Sequence, residues 1–415
     1  MKPQEQLFLE ALKASLTNTT VTWTEPISSE EWQDIFVLSE AQKVLPLIFH
    51  AVSACPAALS IPPELFARLK ERTKALIFGQ AQKTIEFLQL YSRVSARGIR
   101  SLVVKGAVCR ELYPIPELRI SADEDILVSA SEFTQSVDLM ADCGYTSLRE
   151  ISDMDNADEI GFTKPNGASY IELHKVLFAK DSMAYGDFNK YFSDCFENAV
   201  SLNVQGVVID TMNSSMHLFY LICHAFKHFL HSGFGLRQVC DIVMFAERYG
   251  EEIDWQKLLV QCCEIHADRF AAALFKIGEK YLTFDFVKAC YPKQWQEIDI
   301  DEEELLIDLL QSGIYGGSTM SRRHSAKMTL EAAASMKNGK RVGNTVIRTA
   351  FPPAKDLEGR FPYLKEKSYL LPLAWISRIL KYQKETKRMD NNSAAETIKI
   401  GKERIRLMKK YGIIE

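Results

Sequence analysis

The 415-residue sequence lacks the marks of a membrane-spanning, secreted or disulfide-rich protein. No apolar run approaches the roughly 18 residues that cross a bilayer, and the longest candidate, residues 369–376, contains Pro372. The N-terminus turns polar at once, without the apolar core of a signal peptide. The nine cysteines form no Cys-x-x-Cys pair. We therefore expect a cytoplasmic protein with no transmembrane segment, whose thiols are reduced and mostly buried.

Two common nucleotide-binding motifs are also missing. No Gly-x-Gly-x-x-Gly follows a strand, because Gly233-Phe234-Gly235 has no third glycine and lies between predicted helices. The chain contains no Gly-x₄-Gly-Lys-Ser/Thr loop and no Gly-x-Ser-x-Gly elbow. These absences argue against a dinucleotide-binding fold and against a P-loop enzyme.

The net charge of −4 is unevenly distributed. Residues 355–415 carry 15 Lys or Arg against 8 Asp or Glu, a net of +7, which leaves about −11 on the first 354 residues. Broad nucleic-acid binding depends on basic side chains that neutralise phosphates. A mildly acidic body therefore disfavours nucleic acid as a partner. The basic tail either is a solvated helix face, which is the commoner case, or contacts an anionic partner.

The pattern of apolar residues divides the chain into helical and mixed parts. Helical spacing dominates residues 1–98, where Pro62-Pro63 opens a helix that Gly98 ends. Short strands alternate with helices over residues 99–210, with hairpins around Pro165-Asn166-Gly167 and Asn203-Val204-Gln205-Gly206. The helical period returns over residues 211–298 and continues over residues 299–415, with breaks at residues 313–317 and 390–393. The sequence predicts an α+β protein built from these four segments.

An acidic pair in the mixed segment indicates chemistry. A short apolar strand leads into Lys105-Gly106, and Asp123-Glu124-Asp125 opens a later strand. Because side chains alternate across a strand, Asp123 and Asp125 project to the same side. Two such carboxylates repel each other unless a cation lies between them, and hard divalent cations prefer oxygen ligands. The pair favours a metal-dependent phosphoryl or nucleotidyl transfer site over solvated acids at a strand end, whereas Glu124 points away from it.

A third carboxylate follows the first predicted hairpin. In Tyr170-Ile171-Glu172-Leu173-His174, the apolar Ile171 and Leu173 share one face, and Glu172 and His174 share the other. Glu172 is therefore a candidate third metal ligand on a neighbouring strand, and His174 a candidate substrate contact. An ordinary half-exposed strand would show the same alternation.

This series of motifs resembles the DNA polymerase β-type nucleotidyltransferase superfamily, and more narrowly an uncharacterised bacterial nucleotidyltransferase family with a Lys-Gly turn. The resemblance is carried by Lys105-Gly106, Tyr113-Pro114, Arg119, Asp123 with Asp125, and Glu172-Leu173-His174. A downstream stretch is similar to that family's helical half: His224-Ala225-Phe226-Lys227-His228-Phe229, then Gly233-Phe234-Gly235-Leu236-Arg237-Gln238 with Asp241. It implies a mixed β-sheet catalytic domain at residues 99–210 and a helical substrate-side domain at residues 211–298, flanked by N-terminal and C-terminal helical segments.

The resemblance also implies a mechanism. Asp123, Asp125 and Glu172 would bind two Mg²⁺ ions, with an NTP such as ATP as the substrate. Glu172 or Asp125 would take the proton of an acceptor hydroxyl, which attacks the α-phosphorus and releases pyrophosphate. The unidentified acceptor is a small molecule or a protein, or an RNA end, which the acidic body disfavours.

A set of nucleotide contacts accompanies this mechanism, from the turn, the acidic strands and the predicted helix. Basic groups would neutralise phosphate charge, and the turn glycine would let backbone N–H groups approach the phosphates. The residues in this set are Lys105, Gly106, Arg119, His174, His224, Lys227 and His228.

One position departs from the superfamily pattern. Ala107 follows the turn glycine where the superfamily usually has serine, so a hydroxyl contact to phosphate is missing. A second hypothesis is therefore a catalytically silent nucleotidyltransferase fold that serves as a nucleotide-binding or protein-interaction module. Retention of all three acids favours the enzyme.

Four histidines follow one another at spacings of 7, 4 and 3, on one face of a predicted helix: His217, His224, His228 and His231. A zinc-dependent hydrolase built on this row is a third hypothesis, although the His-Glu-x-x-His pattern of zinc peptidases is absent. We favour instead an arrangement in which His224, Lys227 and His228 face the cleft beside the acids. Arg237 and Asp241, four residues apart, either form a surface ion pair or anchor substrate.

Overall fold

The computed structural model describes residues 1–148, 157–165, 167–312, 320–337, 353–386 and 394–415. It contains many helices and a mixed five-stranded sheet, which confirms the predicted α+β class. The predicted breaks at residues 313–317 and 390–393, and Asn166 of the first predicted hairpin, lie outside the described residues. One apolar core, which extends from Phe8 to Ile414, contains side chains of all four predicted segments. The division into four domains stays a prediction.

Four helices precede the sheet: α1 (Pro3–Leu16), α2 (Ser29–Ala41), α3 (Leu45–Val52) and α4 (Pro63–Ala96). The longest, α4, begins at Pro63, the second proline of the predicted pair. The first N–H groups of a helix have no partner within the helix, so a proline at this position costs no hydrogen bond. It ends just before Gly98, whose φ of +70° suits the left-handed turn that closes many helices. At the start of α2, Ser28 and Glu31 form a capping box. A 3₁₀ helix (Pro56–Ser60) connects α3 to α4.

The two strands that carry the predicted acids are neighbours in the sheet. Its strands are β1 (Ser101–Val103), β2 (Glu124–Val128), β3 (Thr146–Ser147), β4 (Glu159–Thr163) and β5 (Tyr170–His174), in the order β1-β2-β5-β4-β3. Strands β2 and β5 run parallel, and all other neighbours are antiparallel. Asp125 lies directly opposite Glu172 in the parallel pair. The antiparallel pairing of β4 with β5 confirms the first predicted hairpin.

Short helices connect the first strands: α5 (Ala107–Arg110), a 3₁₀ helix (Pro116–Leu118) and α6 (Phe133–Asp142). A 3₁₀ helix (Gly186–Phe192) then leads to a separate hairpin of β6 (Ala199–Val204) and β7 (Val207–Met212). The two residues of its turn, Gln205 and Gly206, have φ values of +48° and +88°. Such left-handed residues match the twist of a tight hairpin, and the second predicted hairpin is confirmed.

The rest of the described chain is helical. The α-helices are α7 (Ser214–His231), α8 (Leu236–Tyr249), α9 (Trp255–Glu264), α10 (Asp268–Tyr281), α11 (Lys293–Gln296), α12 (Glu303–Ser312), α13 (Met320–Lys337), α14 (Leu371–Thr386) and α15 (Ala394–Lys410). The 3₁₀ helices are Gly250–Glu252, Ala354–Leu357, Pro362–Lys365 and Ser368–Leu370. Across the described ranges, no helix combines the length and apolar character needed to cross a membrane.

Helix α7 positions the histidines of the predicted row. Its side chains are buried on most faces, because α8, α9 and α13 pack around it and β7 adjoins its start. Asn213 caps the helix by accepting a hydrogen bond from the Met216 N–H at 3.0 Å. The helix therefore holds its histidines on a fixed backbone beside the sheet.

Candidate active site

A cavity of about 720 Å³ lies between the acid-bearing strands and α7. The sheet side supplies most of its acids, and α7 supplies three histidines and a lysine. Its ionisable lining residues are Lys105, Asp123, Asp125, Asp158, Glu159, Glu172, His174, Lys180, Asp181, Tyr185, Tyr220, His224, Lys227, His228 and His231. The fold thus brings the predicted acids and the predicted helix residues to one cavity.

Asp125 and Glu172 form the centre of the acidic side. The parallel register places them opposite each other on β2 and β5, and His174 follows two residues later on the same face. The ligand atoms of Asp125, Glu172 and His174 all lie within 4.8 Å of one another. Among the described residues this is the group of three that could hold a metal ion, and Asp123 is not a member of it.

Lys105 lies against both predicted acids, Asp125 of β2 and Asp123 just before it. Its ammonium nitrogen is 2.9 Å from Oδ2 of Asp125 and 3.9 Å from Oδ2 of Asp123. Burial lowers the pKa of Lys105, but the charges of Asp123 and Asp125 outweigh burial and raise it. Burial conversely raises the pKa of Asp125, and Lys105 and His174 together hold it well below its usual value. Lys105 is therefore an ammonium and Asp125 a carboxylate at neutral pH.

His174 is the second positive group at the acids. Its Nε2 lies 3.2 Å from Oδ1 of Asp125 and 3.6 Å from Oε2 of Glu172. On the other side of the ring, Nδ1 lies 3.6 Å from Oε2 of Glu159. Burial lowers the pKa of His174, but the hydrogen bonds to Asp125 and Glu172 outweigh burial and raise it to about 9. The ring must give up its Nε2 proton before that nitrogen can bind a metal ion.

The turn at Gly106 packs on a buried carboxylate and does not reach the cavity. Gly106 has φ +46°, and a Cβ built on it would collide with the Glu124 carboxylate. The Ala107 N–H donates to Oε2 of Glu124 at 2.8 Å, so this turn N–H already has an anionic partner. Arg110 and the Ser121 hydroxyl donate to Oε1 of the same carboxylate. At Gly106 the structure therefore shows a packing contact with Glu124, and the phosphate contact stays a prediction.

Sequence reasoning assigned Glu124 no chemistry and missed this role. Strand alternation turns Glu124 away from the acidic pair, toward the turn. Arg110, four residues after the turn glycine, was the available signal, because a buried carboxylate requires a charged partner.

Arg119 is not among the residues that line the cavity, and its contact with phosphate stays a prediction. Its Nε and Nη2 donate to the two carboxylate oxygens of Asp241 at 3.0 and 2.6 Å, and both side chains are buried. The Tyr113 hydroxyl donates to Oδ1 of Asp241 at 2.9 Å. Arg237 donates instead to the Ile120 carbonyl, so the predicted alternatives for Arg237 and Asp241 on α8 are replaced by buried structural contacts.

Three of the four histidines in the row line the cavity. Nε2 of His224 is 3.5 Å from the Lys105 ammonium and 3.2 Å from Nε2 of His228, and Nε2 of His231 is 2.8 Å from the Tyr185 hydroxyl. Burial is the main cause that lowers the pKa of all three, and nearby lysines add to it. These rings are therefore neutral at pH 7.

His217 does not share the cavity. Its Nε2 lies 2.8 Å from the Val104 carbonyl and its Nδ1 3.0 Å from the Thr211 hydroxyl. Within the described ranges the row contributes no group of three close metal ligands, and the Lys105 ammonium beside His224 opposes a cation there. These contacts weigh against the zinc hydrolase hypothesis.

A family model described as an uncharacterised nucleotidyltransferase matches residues 28–283, more than half of the 415-residue chain. The chain belongs to this nucleotidyltransferase family. A solved structure, an antigenic nucleotidyltransferase-like protein from Paracoccidioides brasiliensis, is 13% identical, with 50% of this chain and 95% of that chain covered and a TM-score of 0.30. No curated protein matches the chain.

Membership in the family confirms the predicted resemblance. The matched range begins within the N-terminal helical segment and ends after α10, so it includes every ionisable residue that lines the cavity. Residues after 283 lie outside the match. The cavity is therefore a candidate active site of a nucleotidyltransferase-family protein.

Proposed function

We propose that the protein is a Mg²⁺-dependent nucleotidyltransferase that moves a nucleoside monophosphate from an NTP to an acceptor hydroxyl and releases pyrophosphate. Family membership supports the reaction class. The observation that carries the proposal is the grouping of Asp125, Glu172 and His174 within 4.8 Å in a cavity of about 720 Å³. We also propose a cytoplasmic location, which the unpaired cysteines support.

The donor set fits a hard divalent cation. Asp125 and Glu172 supply carboxylate oxygens from adjacent strands, and His174 supplies a nitrogen once it has lost its proton. Such an ion, when bound, would neutralise phosphate charge and promote ionisation of the acceptor hydroxyl. Asp123, which was also predicted as a ligand, would stay close by, beside Lys105.

Glu172 is the residue best suited to accept the acceptor proton. Its side chain is 26% exposed and lines the cavity, whereas the Asp125 side chain is 2% exposed. Lys105 and His174 hold the pKa of Asp125 well below its usual value, which makes Asp125 a weak base. Of the two bases that the resemblance implies, we therefore favour Glu172.

The nucleotide would lie between the acids and α7. Lys105 on the sheet side and Lys227 on the helix side offer positive charge, and His224 and His228 offer neutral ring nitrogens. Nζ of Lys227 lies 5.9 Å from the centre of the Tyr185 ring, which positions its charge by a cation–π contact. The acceptor would enter the same cavity, and a small molecule or a protein hydroxyl is in keeping with its acidic rim.

Calorimetric titration with ATP, GTP, CTP and UTP, in Mg²⁺ and in EDTA, tests the proposal. We expect one or more NTPs to bind in Mg²⁺ and this binding to be lost in Asp125→Asn and in Glu172→Gln. Asp142→Asn is the matched control, because Asp142 is 62% exposed and pairs with Arg97 on the surface. Equal binding by all variants, or no binding of any NTP, would contradict it.

The second candidate is a catalytically silent fold that binds nucleotide or a protein partner. Two observations favour it: the Ala107 N–H already donates to Glu124, and the Lys105 ammonium lies against Asp125. Nucleotide binding with no pyrophosphate release in the presence of extracted metabolites and proteins would support this candidate over the enzyme.

A further inference from the structure

The two oxygens of the Asp125 carboxylate have different cationic partners. Oδ2 lies 2.9 Å from the Lys105 ammonium, and Oδ1 lies 3.2 Å from Nε2 of His174. The His174 nitrogen that contacts Oδ1 also lies 3.6 Å from Glu172, and these three residues form the potential ligand group. The Oδ2 side is the side of Asp123, whose Oδ2 is 3.9 Å from the same ammonium. One side of Asp125 is thus available to a metal ion, and the other already holds a positive charge.

The backbone fixes Lys105 in this position. The preceding residue, Val104, donates its N–H to the Asp125 carbonyl at 3.2 Å and accepts a hydrogen bond from His217 at 2.8 Å. The turn that follows Lys105 is held by the hydrogen bond that the Ala107 N–H donates to the buried Glu124 carboxylate. The Lys105 side chain is only 10% exposed, and Nε2 of His224 lies 3.5 Å from its ammonium. These contacts hold the Lys105 side chain in a fixed position within the site, unlike the side chain of an exposed lysine.

We propose that the Lys105 ammonium takes the place of a second metal ion beside Asp123 and Asp125. The site then takes a single divalent cation, bound by Asp125, Glu172 and His174. This inference rests on the proposed function. A fixed ammonium between Asp123 and Asp125 supplies the cation that two carboxylates on one side of a strand require. It also repels a divalent ion from the same position. Asp123 then holds Lys105 in place and does not bind the metal ion.

Counting bound Mn²⁺ by electron paramagnetic resonance, with Mn²⁺ alone as the probe, tests this inference without an activity assay. The parent is expected to bind one ion that is lost in Glu172→Gln. Lys105→Met is expected to bind two, because Asp123 and Asp125 are then left without their cation, and Lys105→Arg, which keeps the charge, to bind one. Lys180→Met is the matched control: Lys180 lines the same cavity without an ion pair to either acid among the described residues, and one ion is expected.

Asp123→Asn gives an independent result if Lys105→Met fails to fold. Stoichiometry in Asp123→Asn is expected to stay at one, whereas a site with two metal ions would lose one. Two Mn²⁺ ions in the parent, or loss of the ion in Asp123→Asn, would overturn the inference and leave the proposed function intact if Mg²⁺-dependent NTP binding persists. Absence of Mn²⁺ binding together with absence of NTP binding would overturn both.

Discussion

At the scale of single residues, buried charges decide what each motif of this chain does. Lys105 and Gly106 are adjacent in the sequence, yet one contacts the acids of the cavity and the other packs on Glu124. Both contacts follow from strand alternation, since Asp125 and Glu124 project to opposite sides of β2. The two residues of the Lys-Gly turn therefore have different surroundings.

Replacement of Gly106 by alanine should destabilise the protein strongly. The added Cβ would collide with the Glu124 carboxylate, and a φ of +46° is unfavourable for any residue with a side chain. We expect Gly106→Ala to lower the free energy of unfolding by about 3 kcal/mol, measured by urea denaturation.

Gly98→Ala provides the control for backbone strain alone. Gly98 also has a positive φ, +70°, but nothing lies within 4 Å of the position of its added Cβ. We expect Gly98→Ala to lower the free energy of unfolding by about 1 kcal/mol. Equal costs at the two positions would show that the contact of Gly106 with Glu124 does not matter for stability.

At the scale of elements, the fit of α7 to the sheet organises the candidate site. His217 connects the start of α7 to the end of β1 through the Val104 carbonyl, while His224 and His228, about two and three turns further along, reach the cavity. The spacing of the histidines predicted a shared helix face, but His217 hydrogen-bonds to Val104 and Thr211, whereas the three later histidines line the cavity. Residues of one face therefore meet different surroundings.

The burial of His217 makes folding sensitive to acid. Burial lowers the pKa of His217 from 6.5 to about 4. The unfolded chain therefore binds this proton first as the pH falls. The neutral His217 ring therefore makes its full contribution to the free energy of unfolding above pH 6.5. This contribution decreases as the pH falls toward 4, by on the order of 3 kcal/mol in total.

Urea denaturation of the parent and of His217→Gln between pH 7.5 and pH 4.5 measures this contribution. The substituted protein should lose less stability over the acid range, because it takes up one proton fewer on unfolding. Burial also lowers the pKa values of His224, His228 and His231, so both proteins should retain some acid sensitivity. Identical pH dependence of the two proteins would exclude His217 as a source.

At the scale of the whole molecule, the C-terminal helices stabilise the end of the helix that lines the site. Arg404 of α15 donates to the carbonyls of Phe229 and His231, and Arg322 of α13 donates to the Ser232 carbonyl at 2.5 Å. Carbonyls at a helix C-terminus have no partners within the helix and carry a partial negative charge. Helices after residue 283, which the family model does not match, therefore stabilise the C-terminal end of α7, the helix that lines the candidate site.

Loss of the Arg404 side chain should weaken this support. Arg404→Met leaves two buried carbonyls without their donors, and we expect it to lower the free energy of unfolding by about 1–3 kcal/mol. Arg406→Met on the same helix is the matched control, because Arg406 is 69% exposed and pairs with Glu304 on the surface. Its cost should stay below about 1 kcal/mol. Chemical denaturation of the two variants compares them, and similar losses would contradict the role of Arg404.

The sequence by itself determined the local features of this protein. Strand alternation predicted that Glu172 and His174 share a face, and capping residues and turn glycines predicted where α4 and the β6–β7 hairpin begin and end. These features depend on backbone periodicity and on residues a few positions apart, so a single stretch of sequence contains the information.

Only the tertiary structure decided the partners of the buried charges. Arg119 pairs with Asp241, 122 positions away, and Lys105 meets His224, 119 positions away. The parallel register of β2 and β5, which brings Asp125 opposite Glu172, likewise joins segments separated by two other strands. A buried charge must take whichever opposite charge the packing of distant elements supplies, and local sequence does not specify that partner.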